Sequence, residues 1–243
     1  MTRFLTQFPV RNTLIAGFAA LVMALPAEAN VNRSVRVADG ETASGASSVN
    51  GSVTVGSDAT VTGDVSTVNG GIRVGDRSVI EDAGTVNGSV KISDYVQARN
   101  LNTTNGNIQI GENATIDGYV STTNGDITVE TNTTVADDLG NTNGDIELIG
   151  GRIGGTVSTT NGDIELFDGA VVGGDIIVEK ARGWNWNGMR QRPRVVIGPG
   201  CRIDGEIRLE REVRLYISES AEVGGVSGEM TMDDAEIFSG SRP

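Results

Sequence analysis

Counted from the Asn of seven Asn-Gly pairs, at Asn50, Asn69, Asn87, Asn105, Asn124, Asn143 and Asn161, the third and fifth residues that follow are apolar every time. The pairs are Val53/Val55, Ile72/Val74, Val90/Ile92, Ile108/Ile110, Ile127/Val129, Ile146/Leu148 and Ile164/Leu166. Alternation over so short a run predicts a strand with one covered face. In the cleanest repeats an apolar pair returns six residues later, as Ala59/Val61, Ala114/Ile116 and Ala170/Val172, and the pattern restarts at Val65, Val120 and Ile176. Each repeat therefore reads as three short sides. Gly56, Gly75 and Gly111 mark the first corner, Gly63, Gly118 and Gly174 the second, and the Asn-Gly pair the third, all residue types that tolerate sharp turns.

Between residues 50 and 162 the interval between successive Asn-Gly pairs is only ever 18 or 19 residues. A helical hairpin or a propeller blade needs more chain, whereas one lap of a parallel β-solenoid fits, each lap burying its apolar face against its neighbours. The predicted fold class is all-β: a single-stranded parallel β-helix, triangular in section, with 18–19 residues per coil. Right-handed winding follows the general preference of parallel crossovers, although six-residue sides alone permit either hand. At the ~4.8 Å strand spacing, about nine coils give a rod of roughly 40 Å.

The Asn-Gly row invites comparison with a polar ligand row, but Asn and Gly also accept positive φ, and stacked Asn amides bond one another along a ladder. The second reading needs no ligand. A Ser/Thr column precedes it (Ser48, Thr67, Thr85, Thr103, Thr122, Asn141, Thr159), placed by the alternation on the covered side. The repeat continues in disguise beyond residue 180: aligning Val55-Gly56 with Ile197-Gly198 puts Cys201 on Ala59, Ile203 on Val61, Gly205 on Gly63 and Ile207 on Val65. Cys201, the only cysteine, thus fills an inward alanine slot as a small hydrophobe. A further coil reads through Leu215, Ile217, Ala221 and Val223, and Met230 and Met232 begin a last, irregular turn.

Residues 1–29 read as a signal peptide, with Arg3 and Arg11 before an apolar stretch from Thr13 to Leu25 and a small-x-small site at Ala27-Glu28-Ala29. The expected organisation is that leader, a segment 30–47 that caps or stays flexible, a β-helix over 48–226 with a basic and Trp-bearing loop at 180–194, and a C-terminal coil or cap over 227–243. The apolar stretch is short for a membrane span, so the mature chain is expected to be exported without a transmembrane segment, to the periplasm or the cell surface. A formal charge of −13 makes nucleic acid a poor partner.

Two resemblances attach to particular stretches. Val196-Ile197-Gly198-Pro199-Gly200-Cys201-Arg202-Ile203-Asp204-Gly205-Glu206-Ile207, with Ala170-Val171-Val172-Gly173-Gly174-Asp175-Ile176, resembles the repeat of the bactofilins, polymer-forming bacterial proteins built on a triangular right-handed β-helix. The Thr-Thr-Asn-Gly-Asp-Ile series at 122–127 and 159–164 is similar to repeats of adhesin-type β-helical domains of bacterial envelope proteins. The first resemblance implies end-to-end stacking through uncapped coils, from which the export signal departs. Neither implies catalytic residues or a cofactor.

Candidate chemistry is sparse. The chain has no histidine, the commonest general base. Asp126, Asp145 and Asp163 share one repeat position, and Glu147 and Glu165 another, so like charges stack at strand spacing. A Ca²⁺ ion would relieve the repulsion, and a solvated acidic face accounts for the same residues. The segment from Lys180 to Arg194 replaces an Asn-Gly corner and gathers Arg182, Trp184, Trp186, Arg190, Arg192 and Arg194 without an acidic residue. Trp faces and Arg forks suit glycan stacking, anion binding or a protein partner; a loop folded back onto the acidic wall is the structural alternative. The charged run Glu206-Arg208-Glu210-Arg211-Glu212-Arg214 reads as a solvated strand face and carries no site. The functional expectation is a non-catalytic structural or adhesive envelope protein, a candidate for self-association; the alternative is a carbohydrate-binding or carbohydrate-cleaving β-helix acting through the Trp/Arg loop.

Overall fold

The structure is a computed structural model and describes residues 31–180 and 192–243. Each lap contributes one strand to each of three parallel sheets. The first sheet stacks 11 strands, from Val35–Val37 to Glu236–Phe238; the second and third stack 10 each, from Thr42–Ala43 to Glu222–Val223 and from Ala46–Ser48 to Val226–Gly228. Register follows the repeat without slippage: Val53 lies on Ile72, Ile72 on Val90, Val90 on Ile108, Ile108 on Ile127, Ile127 on Ile146 and Ile146 on Ile164. The result is an all-β parallel solenoid of ten coils plus one side of an eleventh.

Inward columns form the core. Ile72, Ile108, Ile127, Ile146 and Ile164 are all at 0% exposure, each burial contributing roughly 1.5–3 kcal/mol. Among the described residues the aromatics stay out of it: Phe167 and Phe238 cluster with Val196 on the outside of the first sheet, and Tyr216 packs beside them. The chain then runs back along this face, placing the Arg242 guanidinium 4.1 Å from the Phe167 ring centroid.

The first coil begins earlier than expected. Segment 30–47, taken as cap or flexible, contains nearly all of the first coil, with Val35 and Val37 in register with Val53 and Val55. Its polar neighbours and the lack of an Asn-Gly pair obscured the repeat. At the other end a short 3-10 helix, Met232–Asp234, supplies the irregular turn before the strand Glu236–Phe238. Across residues 181–191 the register resumes, Ile164 pairing with Val195 and Leu166 with Ile197. Residues 1–30, including the expected signal peptide, lie outside the described residues.

The third corner is held by three stacked rows. Each Asn Nδ2 donates to the Asn Oδ1 one coil earlier, in an unbroken series from Asn50 on Asn32 (2.7 Å) through Asn69, Asn87, Asn105, Asn124 and Asn143 to Asn161 (3.1 Å). Inside that row, the hydroxyls of Thr67, Thr85, Thr103 and Thr122 donate to the carbonyls of Gly51, Gly70, Gly88 and Gly106 at 2.8–3.0 Å. These carbonyls have turned out of the strand ladder and would otherwise be orphaned. Asn141 interrupts the column: its Nδ2 donates to the carbonyls of both Gly125 (3.1 Å) and Gly144 (2.6 Å), and the buried Thr159 hydroxyl one coil on has no partner among the described residues.

The glycines of this corner are needed for a different reason from the expected one. Positive φ among non-glycine residues falls at the first corner, on Asp58, Arg77, Tyr95, Asn113, Asn132 and Asp168, whereas of the Asn-Gly glycines only Gly144 has it. What excludes a side chain at the third corner is the coil before: a Cβ on Gly106 would overlap the Gly88 carbonyl oxygen. Backbone against backbone leaves nothing to rotate away. We therefore expect Gly106→Ala to cost at least the upper part of the ~1–3 kcal/mol typical of overpacking. Gly225→Ala, whose Cβ would meet only the Glu206 side chain at 3.8 Å, should be close to neutral. Urea denaturation of the two variants makes the comparison.

Candidate functional site

The 18- to 19-residue spacing of the Asn-Gly pairs ends at Asn161: the next pair, Asn187-Gly188, follows 26 residues later and lies outside the described residues. Strand Ile176–Val178 ends on the third sheet and Arg194–Ile197 resumes on the first. Of the residues expected to bind a ligand or partner, Arg182, Trp184, Trp186 and Arg190 lie outside the described residues. Arg192 and Arg194 are described and behave differently from each other. The Arg194 backbone N–H donates to Asp163 Oδ1 (2.8 Å), its guanidinium meets Glu165 (2.8 Å), and the same group lies 5.6 Å from the Tyr216 ring centroid. It anchors the returning chain. Arg192 is more exposed and pairs with Glu212 at 2.6 Å.

Directly below that junction is a groove of about 470 Å³ lined by Asn143, Asp145, Asn161, Gly162, Asp163, Arg192, Pro193 and Arg211. Its base is Asn161, the last rung of the amide ladder among the described residues. Arg211 reaches back and donates through Nη1 to Asn161 Oδ1 (3.3 Å) and to the Thr160 carbonyl (3.2 Å). Arg211 was read from sequence as part of a solvated strand face; its role depends on a contact across 50 residues that no local pattern records.

The aspartates of the acidic column have a structural task. Asp126 Oδ1 accepts the backbone N–H of Asp145, and Asp145 Oδ1 that of Asp163, both at 2.9 Å, before Asp163 accepts Arg194. Asn107 does the same for Asp126 at 3.0 Å. One carboxylate oxygen per coil thus ties down the start of the next strand, and the stacked like charges are the cost of that arrangement. Among the described residues no three His, Cys, Asp or Glu side chains converge as a metal cluster, so the calcium candidates Asp126, Asp145 and Asp163 stand one coil apart rather than around a common centre.

No protein-family model matches this chain, and neither a curated protein nor a solved structure matches it. The chemistry of the groove has to be read from its own groups. Two Asn amides, the second carboxylate oxygens of Asp145 and Asp163, and the N–H groups of Arg211 beyond Nη1 offer donors and acceptors to a ligand rich in hydroxyl and carboxylate groups. Cys201 is at 0% exposure in its alanine slot, and burial pushes its thiol up from the ordinary value, which disfavours the thiolate.

Because Asn107 shows that an amide can hold the next coil's N–H at this position, Asp145→Asn keeps the bond and removes one charge from the stack. A gain of roughly 0.2–1 kcal/mol at low ionic strength is expected, shrinking as salt rises. Thermal unfolding at two salt concentrations measures it. If calcium bridges the outer carboxylate oxygens instead, chelator will lower the melting temperature of the wild-type chain, and the variant will lose that dependence.

Proposed function

We propose that this chain is an exported, non-catalytic structural and adhesive β-solenoid of the bacterial cell envelope that associates with further copies of itself through its ends. The observation that carries the reading is the state of the C-terminal coil. Ile237 stands in register with the buried Ile217 yet is 54% exposed, and Met232, at the start of the 3-10 turn before it, is 41% exposed. The last strand of each sheet has a neighbour on one side only among the described residues. Open edges with apolar side chains favour an added strand set. A second copy offers the best-fitting one, since its laps have the same three sides and the same spacing.

Export is supported by Arg3, Arg11, the apolar stretch from Thr13 to Leu25 and the site at Ala27-Glu28-Ala29. Among the described residues no helix is long and apolar enough to cross a membrane. The likeness to bactofilin repeats supports stacking, and the Thr-Thr-Asn-Gly-Asp-Ile repeats support an adhesive role. Light scattering and negative-stain microscopy of the chain from Asn30 onward should show elongated oligomers whose length grows with concentration, and Ile237→Glu should abolish that growth while leaving the β-sheet circular dichroism unchanged. A monodisperse monomer at every concentration rejects the reading.

The groove favours a second reading, carbohydrate binding or cleavage at the third edge and the Trp/Arg loop. Arg211→Ala, or Trp184→Ala with Trp186→Ala, would then weaken retention on isolated envelope glycans by about tenfold or more, as expected for loss of an arginine or tryptophan hot spot. Depolymerisation of an acidic glycan by the purified monomer would establish the enzyme in place of the structural protein.

A further inference from the structure

The exposed Asn-Gly pairs share one side-chain environment but divide into two backbone environments. At Asn50, Asn69, Asn87, Asn105 and Asn124 the amide both donates to the preceding coil and accepts from the next. At the last three of these, the glycine that follows is also tied: the N–H groups of Gly88, Gly106 and Gly125 donate to the carbonyls of Asn105, Asn124 and Asn143 at 3.0, 2.9 and 2.8 Å. The N–H groups of Gly51 and Gly70 have no such acceptor among the described residues. The reason is in the strands. Those before Asn50 and Asn69 stop at Ser48 and Thr67, whereas the next four extend as far as Asn87, Asn105, Asn124 and Asn143 and pair there. Asn143 and Asn161 are half-buried beside Arg211 and Asn141 and fall outside this comparison.

An Asn-Gly peptide has a reactive path of its own. The glycine nitrogen, on losing its proton, attacks the Asn Cγ; a C–N bond closes a five-membered succinimide, the Cγ–Nδ2 bond breaks, and the amide leaves as ammonia with the proton that the backbone gave up. Water then opens the ring at either carbonyl, leaving aspartate or isoaspartate. No oxidant, metal or cofactor enters the balance. Glycine leaves its nitrogen open to this attack, while a hydrogen bond from that N–H to a fixed carbonyl opposes both loss of the proton and rotation of the peptide plane.

We propose that Asn50 and Asn69 are sites of spontaneous deamidation in the folded protein and that Asn87, Asn105 and Asn124 are protected. The product changes the ladder. A carboxylate at position 69 still accepts from Asn87 but has no N–H for Asn50 Oδ1, so two acceptors face each other at the 2.8 Å now spanned by a hydrogen bond. An isoaspartate adds a backbone carbon to a lap whose length sets the register. Each event also adds a negative charge to a chain already at −13. The modification therefore loosens the two N-terminal coils from the rest as the molecule ages.

The test is a time course of the purified native chain at mildly alkaline pH, with site-by-site conversion read by peptide mass spectrometry and isoaspartate content read enzymatically. Asn50 and Asn69 are expected to convert roughly 2- to 10-fold faster than Asn87, Asn105 and Asn124, the factor one backbone hydrogen bond supplies. In denaturant the five rates should converge. Equal rates in the native chain, or faster conversion at the central sites, would overturn the proposal. Amide hydrogen exchange separates it from simple fraying: Gly51 and Gly70 should exchange rapidly while Val53 and Ile72 remain protected, and rapid exchange at all four positions would also overturn it.

Discussion

Parallel stacking in register is the constraint on which everything else in this molecule depends. No lap has a core of its own; its inward Val and Ile side chains become buried only when the laps above and below present the same positions at the same height. Because each strand pairs with its counterpart one coil away, a residue is placed directly over its equivalent, from Val53 on Ile72 to Ile146 on Ile164. Whatever is tolerated once is then imposed many times. A side chain that bonds to its own kind becomes a ladder, and one that is too large collides with the coil before it.

The third corner shows how one edge meets several demands at once. The chain must turn sharply there, and the turn removes the glycine carbonyls from the sheet. Threonine hydroxyls recover them from inside, asparagine amides link the coils from outside, and glycine provides the clearance between them. The three residue types are not interchangeable. Asn141 in the threonine column demonstrates this, since its longer amide spans two carbonyls where each threonine hydroxyl takes one, and the Thr159 hydroxyl one coil on has no partner among the described residues.

Chemical opportunity arises where the repetition stops. While the ladder continues, each Asn amide at the edge is engaged by the next coil. Where the regular spacing ends, the outer oxygens of two aspartates and an arginine from a later lap gather around a common groove. The same logic applies at the C-terminal end, where Ile237 stands in a core column on the last strand of the described residues and is exposed.

Repetition made the fold legible before any coordinates. The apolar pairs, the glycine corners and the constant Asn-Gly interval specified strands, corners, stacking axis and inward columns, and the disguised coil carrying Cys201 followed from the same alignment. The first coil was missed because Asn32 extends the amide ladder without a glycine after it, leaving no Asn-Gly pair to count from. The reason for glycine at the third corner was also misread, because φ is a property of one residue whereas the collision lies between coils. The groove was beyond any local pattern: Asp145 and Arg192 could be singled out by position and charge, but not their convergence with Arg211. Periodic spacing alone determines which residues lie over one another within the repeat, because strand pairing copies the sequence interval into space. Only the folded chain decides what an aperiodic residue touches, because its partner is set by how far a side chain reaches across the stack.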